Sequence, residues 1–340
     1  MKNWITDTIN HPQRMAIPIL THPGIEMTGK TVLDAVTDGK VHSCAIITLN
    51  EHYPSAATTV IMDLTVEAEA FGCAVNFSDD EVPTVSHRLV RSLEEVNQLP
   101  VPDLSAGRVP QYLLANQLTA SAISGKPVLG GCIGPYSLAG RLFDMTELMM
   151  AIYTEPDTVN LLLEKCTQFL IDYCRALKTT GVNGVMIAEP AAGLLSNDDC
   201  LQYSSLYVKQ IVDALQDEHF SVFLHNCGNT GQCTQAMLYA GAHGYHFGNV
   251  MNMVEALDVC PPNVLVMGNL DPVGLFKMST PEQVNHTTKN LLEETAEYRN
   301  FVLSSGCDIP PHTPLENIEA FYEALAWFNA KNEQQLAGEK

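Results

Sequence analysis

Short apolar runs alternate with longer amphipathic stretches along most of the chain. Eight such runs stand out: residues 17–21 (IPILT), 58–64 (TTVIMDL), 127–134 (PVLGGCIG), 184–190 (GVMIAEP), 221–227 (SVFLHNC), 244–248 (GYHFG), 264–270 (VLVMGNL) and 301–307 (FVLSSGC). Continuous apolar runs, unlike alternating ones, are typical of parallel strands that are covered on both faces. The pattern therefore predicts a parallel sheet whose strands are joined by helices.

Several of the intervening stretches have apolar residues at helical spacing. Residues 157–181 show this pattern and end at Gly181, a common helix stop. Residues 280–299 begin with Thr280 as a cap and Pro281 in the first turn. About eight strand–helix units are the count of a (β/α)₈ barrel, the TIM barrel. We expect residues 1–340 to form a single barrel domain of this α/β class.

A doubly wound open sheet is the alternative architecture. The dinucleotide-binding version of that fold requires a Gly-x-Gly-x-x-Gly turn after an early strand, and this chain has none. The barrel is therefore the favoured prediction. The region 73–122 fits a regular strand–helix unit poorly, and we expect it to contain an insertion at the mouth of the barrel.

Polar or reactive residues end most of the predicted strands. Active sites of such barrels lie at the carboxyl ends of the strands. The residues at these ends are Thr21 with His22, Asp63, Glu189, His225 with Cys227, His246, Asn269 with Asp271, and Cys307 with Asp308. The mouth of the barrel is therefore the predicted functional site.

His225 and Cys227 are the first candidates for chemistry. Residues two apart on a strand point to the same side, so both face one way at the rim. An imidazole and a thiolate favour Zn²⁺ over Mg²⁺ or Ca²⁺. A catalytic zinc usually has three protein ligands and one open position. Cys307 is the predicted third ligand, with His312 as the local competitor. The alternative is that the His225–Cys227 pair only packs in the core.

The strand that carries Cys307 does not neighbour the strand that carries His225. The loops at the mouth must therefore lean inward if the three side chains are to meet.

Three further residues have weaker signals. Glu189, at the end of the fourth strand, is a candidate catalytic carboxylate that accepts a proton or binds the metal temporarily; the alternative is a capping carboxylate. Arg141 is a candidate substrate-binding residue for an anionic group; the alternative is a surface ion pair. His246 is a candidate substrate-binding residue at the mouth; the alternative is a hydrogen-bonded structural histidine.

Charge and cysteine usage restrict the classes of partner. The 340 residues include 39 acidic and 18 basic side chains, for a formal net charge of −21. This charge argues against nucleic acid or an anionic membrane surface as the main partner. The chain has no apolar run long enough to span a bilayer and no apolar segment typical of a signal peptide. Ten cysteines without Cys-x-x-Cys spacing suggest a reduced, cytoplasmic protein.

Six segments carry a resemblance to a known family: residues 62–72 (MDLTVEAEAFG), 134–144 (GPYSLAGRLFD), 225–230 (HNCGNT), 241–248 (GAHGYHFG), 267–272 (MGNLDP) and 306–321 (GCDIPPHTPLENIEAF). Over most of its length the chain resembles the uroporphyrinogen decarboxylase superfamily, and within it the zinc-dependent methylcobamide:coenzyme M methyltransferases. The resemblance implies a (β/α)₈ barrel and a His-x-Cys zinc motif completed by a distant cysteine. His225, Cys227 and Cys307 match that motif.

The resemblance also implies a reaction. A thiol such as coenzyme M, held as a thiolate on Zn²⁺, would accept a methyl group from a methylated corrinoid on a carrier protein. A uroporphyrinogen decarboxylase-like lyase is the first alternative. That branch binds its substrate with an arginine-bearing segment after the first strand, but residues 17–29 here contain no arginine. The resemblance implies that Asp63 occupies the position of that branch's catalytic aspartate, but one carboxylate is not enough to support a decarboxylase. The second alternative is a non-catalytic zinc or corrinoid-binding scaffold, with the metal enclosed by a fourth protein ligand.

Overall fold

Nine strands are present in the computed structural model, which describes residues 1–338, with side chains described to residue 334. The strands are β1 (Thr58–Thr59), β2 (Val75–Asn76), β3 (Thr84–Val85), β4 (Val128–Ile133), β5 (Gly184–Ala188), β6 (Ser221–Asn226), β7 (Gly244–Phe247), β8 (Leu265–Leu270) and β9 (Phe301–Ser305). Seven of them form one sheet in the order β1-β4-β5-β6-β7-β8-β9. Each strand of this sheet pairs in parallel with its neighbours.

The extended segment around Ala16 is the first of the eight barrel positions in chain order and closes the sheet between β9 and β1. On one side, the amide of Ile17 donates to the carbonyl of Leu303 at 2.9 Å and the amide of Leu303 donates to Met15 at 3.0 Å. On the other side, the amide of Ala56 donates to the Ala16 carbonyl at 2.9 Å. The eight predicted runs thus follow one another around a closed barrel. The barrel prediction is confirmed, and the open-sheet alternative is wrong.

Sixteen α-helices lie in the described part of the chain. They are α1 (Lys2–Asn10), α2 (Pro23–Met27), α3 (Val32–Thr37), α4 (Gly39–His52), α5 (Val66–Phe71), α6 (Leu93–Gln98), α7 (Val109–Ala122), α8 (Pro135–Phe143), α9 (Met145–Thr154), α10 (Pro156–Thr179), α11 (Asn197–Cys200), α12 (Leu206–Leu215), α13 (Thr234–Tyr239), α14 (Met253–Val259), α15 (Pro281–Glu294) and α16 (Leu315–Gly338). Helix α10 ends just before Gly181, whose φ is +97°. Helix α15 begins with a capping box between Thr280 and Gln283. Both helices were predicted.

The barrel interior has an apolar layer beneath a polar one. Its apolar residues are Ile17, Ile19, Leu129, Met186, Phe223, Leu265, Met267 and Val302, and Ile5 of α1 packs against them. Side chains two residues apart on a strand share a face. His225 therefore lies above Phe223, and Ser304 lies above Val302, on the interior side. This alternation places polar side chains at the carboxyl ends of the strands.

The predicted insertion is shorter than residues 73–122. It contains the antiparallel pair β2–β3 and helix α6, and residues 85–88 line a cavity at the mouth. Helix α7, however, packs against α4 and leads into β4, as a regular barrel helix does. Its buried face runs through Val109, Tyr112, Ala115, Asn116 and Thr119. Because Asn116 and Thr119 are polar, the apolar periodicity of α7 was not visible in the sequence.

Candidate metal centre

His225 and Cys227 stand at the carboxyl end of β6. All six residues of β6 are buried, as expected of a strand covered on both faces. A tight turn follows at once, because the side chain of Asn226 accepts a hydrogen bond from the amide of Gly228 at 3.0 Å. His225 is 2 % exposed. Cys227 is partly exposed, and so is Cys307, two residues beyond β9.

The three predicted ligands meet in space. The candidate ligand atoms of His225, Cys227 and Cys307 all lie within 4.8 Å of one another. Nε2 of His225 is 3.6 Å from Sγ of Cys307. The competing residue His312 lies elsewhere, on the surface, where its ring pairs with Glu26 and lies 3.5 Å from Asp80. These three atoms are close enough together to bind one metal ion through one nitrogen and two sulfur ligands.

Close backbone packing explains how ligands from non-adjacent strands meet. Gly248, after β7, packs so tightly that a Cβ there would lie 2.6 Å from the Cα and O atoms of Cys227. A Cβ on Gly306 would lie 2.6 Å from the amide nitrogen of Asn249. The side-chain Nδ2 of Asn269 donates to the backbone carbonyls of Gly248 and Met251 at 2.8 and 2.6 Å. Glycine at these two positions therefore lets the loop after β7 lie against both segments that carry a cysteine.

The two thiols influence each other. A hydrogen bond to Cys227, together with burial, raises the pKa of Cys307, and His225 opposes this only in part. The same hydrogen bond lowers the pKa of Cys227, against the effect of burial. The pKa values of the two thiols are therefore shifted in opposite directions. A metal bound by both sulfurs would displace both thiol protons, because thiol ligands bind as thiolates.

His246 lies behind His225 instead of at the mouth. It is fully buried, and its Nδ1 is 2.7 Å from Nδ1 of His225. Its Nε2 is 2.8 Å from Oγ of Ser304. Burial lowers the pKa of His246 well below its ordinary value, and the neighbouring His225 lowers it further. This position fits the hydrogen-bonded structural alternative; a direct contact with substrate, predicted from the strand end, does not fit a ring whose two nitrogens are both occupied.

Glu189 caps a helix. One carboxylate oxygen accepts from the backbone amide of Ser137 at 2.7 Å. The other accepts from the amide of Tyr136 and the hydroxyl of Ser204, both at 2.9 Å. Burial raises the pKa of Glu189, while these hydrogen bonds oppose the rise. The carboxylate thus satisfies free amides at the start of α8. The structure places Glu189 where the capping alternative expected it, and a part in catalysis stays a prediction.

Arg141 is exposed and borders a cavity of about 450 Å³ at the mouth. The cavity lies among residues that follow β1, β4 and β5, and its lining includes Leu64, Arg88, Ile133, Arg141, Met145 and Leu194. None of the three candidate ligands is among its lining residues. Arg141 therefore lies at the mouth but beside a different part of it from the ligand group, and its binding of an anionic substrate group stays a prediction.

Asp63 and Arg108 form a buried ion pair near the mouth, and the sequence had indicated only Asp63 as a candidate site residue. Both oxygens of Asp63 are bonded: one accepts from the amide and hydroxyl of Thr65 at 3.0 and 2.7 Å, and the other pairs with the guanidinium of Arg108. Arg108 also contacts Glu69 at 2.6 Å. Asp63 was a strand-end candidate, but Arg108 comes 45 residues later in a loop, and no spacing pattern identifies it.

His22 and Asp308, both predicted at strand ends, form a pair next to Cys307. Nδ1 of His22 is 3.0 Å from the Asp308 carboxylate, which also accepts from the hydroxyl of Thr21 at 2.8 Å. Burial by itself lowers the pKa of His22, but the attraction of Asp308 outweighs it and the pKa is raised. The segment after β9 is thereby fastened to the segment after the first strand position.

The profile of the uroporphyrinogen decarboxylase (URO-D) family matches residues 11–327. The chain belongs to the uroporphyrinogen decarboxylase family. Within the family, it is 31 % identical over 271 residues to the methylcobamide:CoM methyltransferase MtbA of Methanosarcina acetivorans, covering 78 % of each chain. It is 27 % identical over 296 residues to the uroporphyrinogen decarboxylase of Alkalilimnicola ehrlichii, covering 84 % of this chain and 80 % of that one. The family resemblance predicted from the six segments is confirmed.

Solved structures of similar fold support the barrel. A methyltransferase from Methanosarcina mazei superposes with a TM-score of 0.85 at 23 % identity, covering 96 % of this chain and 98 % of that one. Within residues 1–338, no helix is both long and apolar enough to cross a membrane.

Proposed function

We propose that this member of the uroporphyrinogen decarboxylase family transfers a methyl group from a methylated corrinoid to a thiol, at a Zn²⁺ ion held by His225, Cys227 and Cys307. The observation that carries the proposal is the convergence of these three side chains at the mouth of the barrel. The similarity to methylcobamide:CoM methyltransferases supports it independently. A thiol such as coenzyme M is the proposed acceptor, and a corrinoid carrier protein is the proposed partner.

The donor set fits zinc. One imidazole nitrogen and two thiolate sulfurs are ligands that Zn²⁺ accepts readily. Three protein ligands are the usual number at a catalytic zinc, where the fourth position is left for water or substrate. Cys227 and Cys307 are partly exposed, so a small thiol entering from the mouth would reach this side of the site. These features support a catalytic site over a closed structural one.

Zn²⁺ bound there would hold a coordinated thiol as a thiolate at neutral pH. Methyl transfer to this thiolate would form a sulfur–carbon bond and break the cobalt–carbon bond, with both electrons of the broken bond staying on the cobalt. The proton of the thiol goes to solvent. The protein contributes the positions of the two cysteines and of Nε2 of His225. A reducing, cytoplasmic setting fits this chemistry, because both the protein and the substrate must keep free thiols.

The surroundings of Asp63 weigh against a decarboxylase-like lyase. A carboxylate that organises a substrate must have free oxygens, but both oxygens of Asp63 accept hydrogen bonds from Thr65 and Arg108. The positive charge of Arg108 is likewise used, because it pairs with Asp63 and Glu69. Together with the missing arginine in residues 17–29, this pairing favours the methyltransferase over the lyase alternative.

The direct test measures zinc and methyl transfer on the same samples. Purified protein is expected to hold about one zinc per chain and to transfer methyl groups from free methylcobalamin to at least one member of a panel of anionic and neutral thiols. Cys307→Ala is expected to lose both properties, whereas Cys44→Ser, at an exposed cysteine outside the group, keeps both. Full zinc content with no transfer to any thiol would favour the scaffold. Zinc-free protein that decarboxylates uroporphyrinogen would favour the lyase.

A further inference from the structure

We propose that Ser304, acting through His246, holds His225 in the tautomer whose Nε2 lone pair faces the two cysteines. This inference rests on the proposed metal site, for which it makes Ser304 and His246 positioning residues. The geometry behind it is a chain of three short contacts that begins at the backbone carbonyl of Ile17 and ends at Nδ1 of His225, the ring nitrogen that does not face the cysteines.

The chain begins with the hydroxyl of Ser304. Its Oγ lies 2.7 Å from the carbonyl oxygen of Ile17. A carbonyl oxygen only accepts, so the hydroxyl proton points toward Ile17. The Oγ atom must then accept from its other neighbour, Nε2 of His246, at 2.8 Å. Nε2 of His246 therefore carries a proton.

The protonation of His246 in turn determines the tautomer of His225. A neutral imidazole has one N–H group, so a proton on Nε2 of His246 leaves Nδ1 with a lone pair. That Nδ1 atom lies 2.7 Å from Nδ1 of His225, and a contact this short requires one proton between the two nitrogens. His225 must supply it. Its own lone pair is then on Nε2, the atom that lies 3.6 Å from Sγ of Cys307.

We call this hydrogen-bond chain from Ile17 through Ser304 and His246 to His225 the relay. Its side chains are packed so that they cannot rotate freely. Ile17, His246 and Ser304 are all fully buried, and they belong to the first barrel position, β7 and β9. Without the relay, either tautomer of His225 is accessible, and one of them directs an N–H group at the cysteines, where a metal must bind. Groups that orient a ligand histidine typically change metal affinity by about 10- to 100-fold when they are removed.

The first test compares two adjacent serines of β9. Ser305 is as buried as Ser304, but its Oγ accepts from the amide of Ile19 at 3.1 Å and takes no part in the relay. Zinc affinity is measured by competition with a chromophoric chelator. Ser304→Ala is expected to bind zinc about tenfold more weakly than the natural protein, and Ser305→Ala is expected to bind it equally well. Equal binding by the two variants would overturn the proposal.

The second test reads the tautomer without metal or activity. Metal-free protein labelled with ¹⁵N-histidine is examined by two-bond ¹H–¹⁵N correlation, with the His225 signals assigned by their loss in His225→Gln. The natural protein should show His225 protonated at Nδ1 alone, and Ser304→Ala should show both tautomers. A single unchanged tautomer in Ser304→Ala would contradict the relay.

Substitution of His246 separates positioning from packing. Asn places an acceptor oxygen near the position of Nδ1, so His246→Asn should keep most of the zinc affinity, whereas His246→Leu should lose at least about tenfold. Equal loss in both variants would count against the relay. Thermal unfolding followed by circular dichroism checks that each variant is folded. If the natural protein holds zinc but transfers no methyl group, the proposed function fails and the relay stands; if it holds no zinc, the tautomer measurement still decides the relay.

Discussion

Nε2 of His225 and Sγ of Cys307 lie 3.6 Å apart, although 82 residues separate them in the chain. The contact exists because the sheet closes into a barrel and because the loop after β7 packs without side chains at its tightest point, Gly248. The fold that produces the contact has a large apolar core of its own, which extends around the whole barrel. We therefore expect the protein to fold without the proposed metal.

Removal of one sulfur ligand should lower zinc content while the fold stays intact. Cys227→Ser and Cys307→Ala are each expected to hold less than about a tenth of the zinc of the natural protein after dialysis, because two protein ligands bind zinc far more weakly than three. Metal analysis and circular dichroism on the same samples measure this. Full zinc retention by Cys307→Ala would show that the third ligand is a different residue.

Loss of Asp63 should destabilise the protein. In Asp63→Ala, Arg108 would keep only Glu69 as a charged partner, in a position where its side chain is 8 % exposed. Breaking a buried ion pair by removing one partner typically costs about 3 kcal/mol. Asp213→Ala, which breaks an exposed pair with Lys209, should cost less than about 1 kcal/mol. Denaturant unfolding of both variants provides the comparison. Equal stability of Asp63→Ala and the natural protein would mean that the pair does not hold the region together.

Glu67 should make stability depend on pH. This side chain is 2 % exposed, one carboxylate oxygen accepts from the amide of Ile133 at 2.9 Å, and the other has no hydrogen-bond partner. Burial raises the pKa of Glu67 from 4.5 to about 7. Because the pKa is raised on folding, the folded state binds the proton more tightly. The stabilisation from that proton is complete below pH 4.5 and is lost as the pH rises through about 7.

Glu67→Gln copies the protonated carboxyl group at every pH. It should match the natural protein in stability at about pH 4.5 and exceed it at about pH 8 by roughly 3 kcal/mol, the equivalent of the pKa shift. Urea unfolding at the two pH values, with equal zinc content in both proteins, measures the difference. A stability difference that does not change with pH would contradict the assignment to Glu67.

Glu189→Gln should lower the free energy of unfolding, whereas the rate of methyl transfer per folded molecule should stay close to that of the natural protein. The carboxylate now accepts hydrogen bonds from Tyr136, Ser137 and Ser204. In the glutamine variant, an NH₂ group replaces one carboxylate oxygen and cannot accept from these donors. An unsatisfied buried donor costs about 2 kcal/mol. Urea unfolding and methyl transfer from methylcobalamin are measured on the same preparation. Unchanged stability with activity abolished would instead assign Glu189 a catalytic role.

The sequence predicted the strands and the ligand group for identifiable reasons. Buried parallel strands leave continuous apolar runs, and His225 and Cys227 end one such run at a spacing that fixes a shared face. The features that the sequence did not predict depend on how distant segments pack in three dimensions. The depth of His246 follows from its register against His225 and Ser304, and the pairing of Asp63 with Arg108 follows from the path of a loop. Helix α7 was missed because Asn116 and Thr119 lie on its buried face.

X-ray absorption at the zinc edge tests the central claim most directly, because it counts the sulfur atoms on the metal with and without a thiol. The account predicts two sulfurs, one nitrogen and one further light atom in the resting protein, and three sulfurs at about 2.3 Å after a productive thiol is added. Four protein ligands in the resting protein, unchanged by every thiol that is offered, would contradict it.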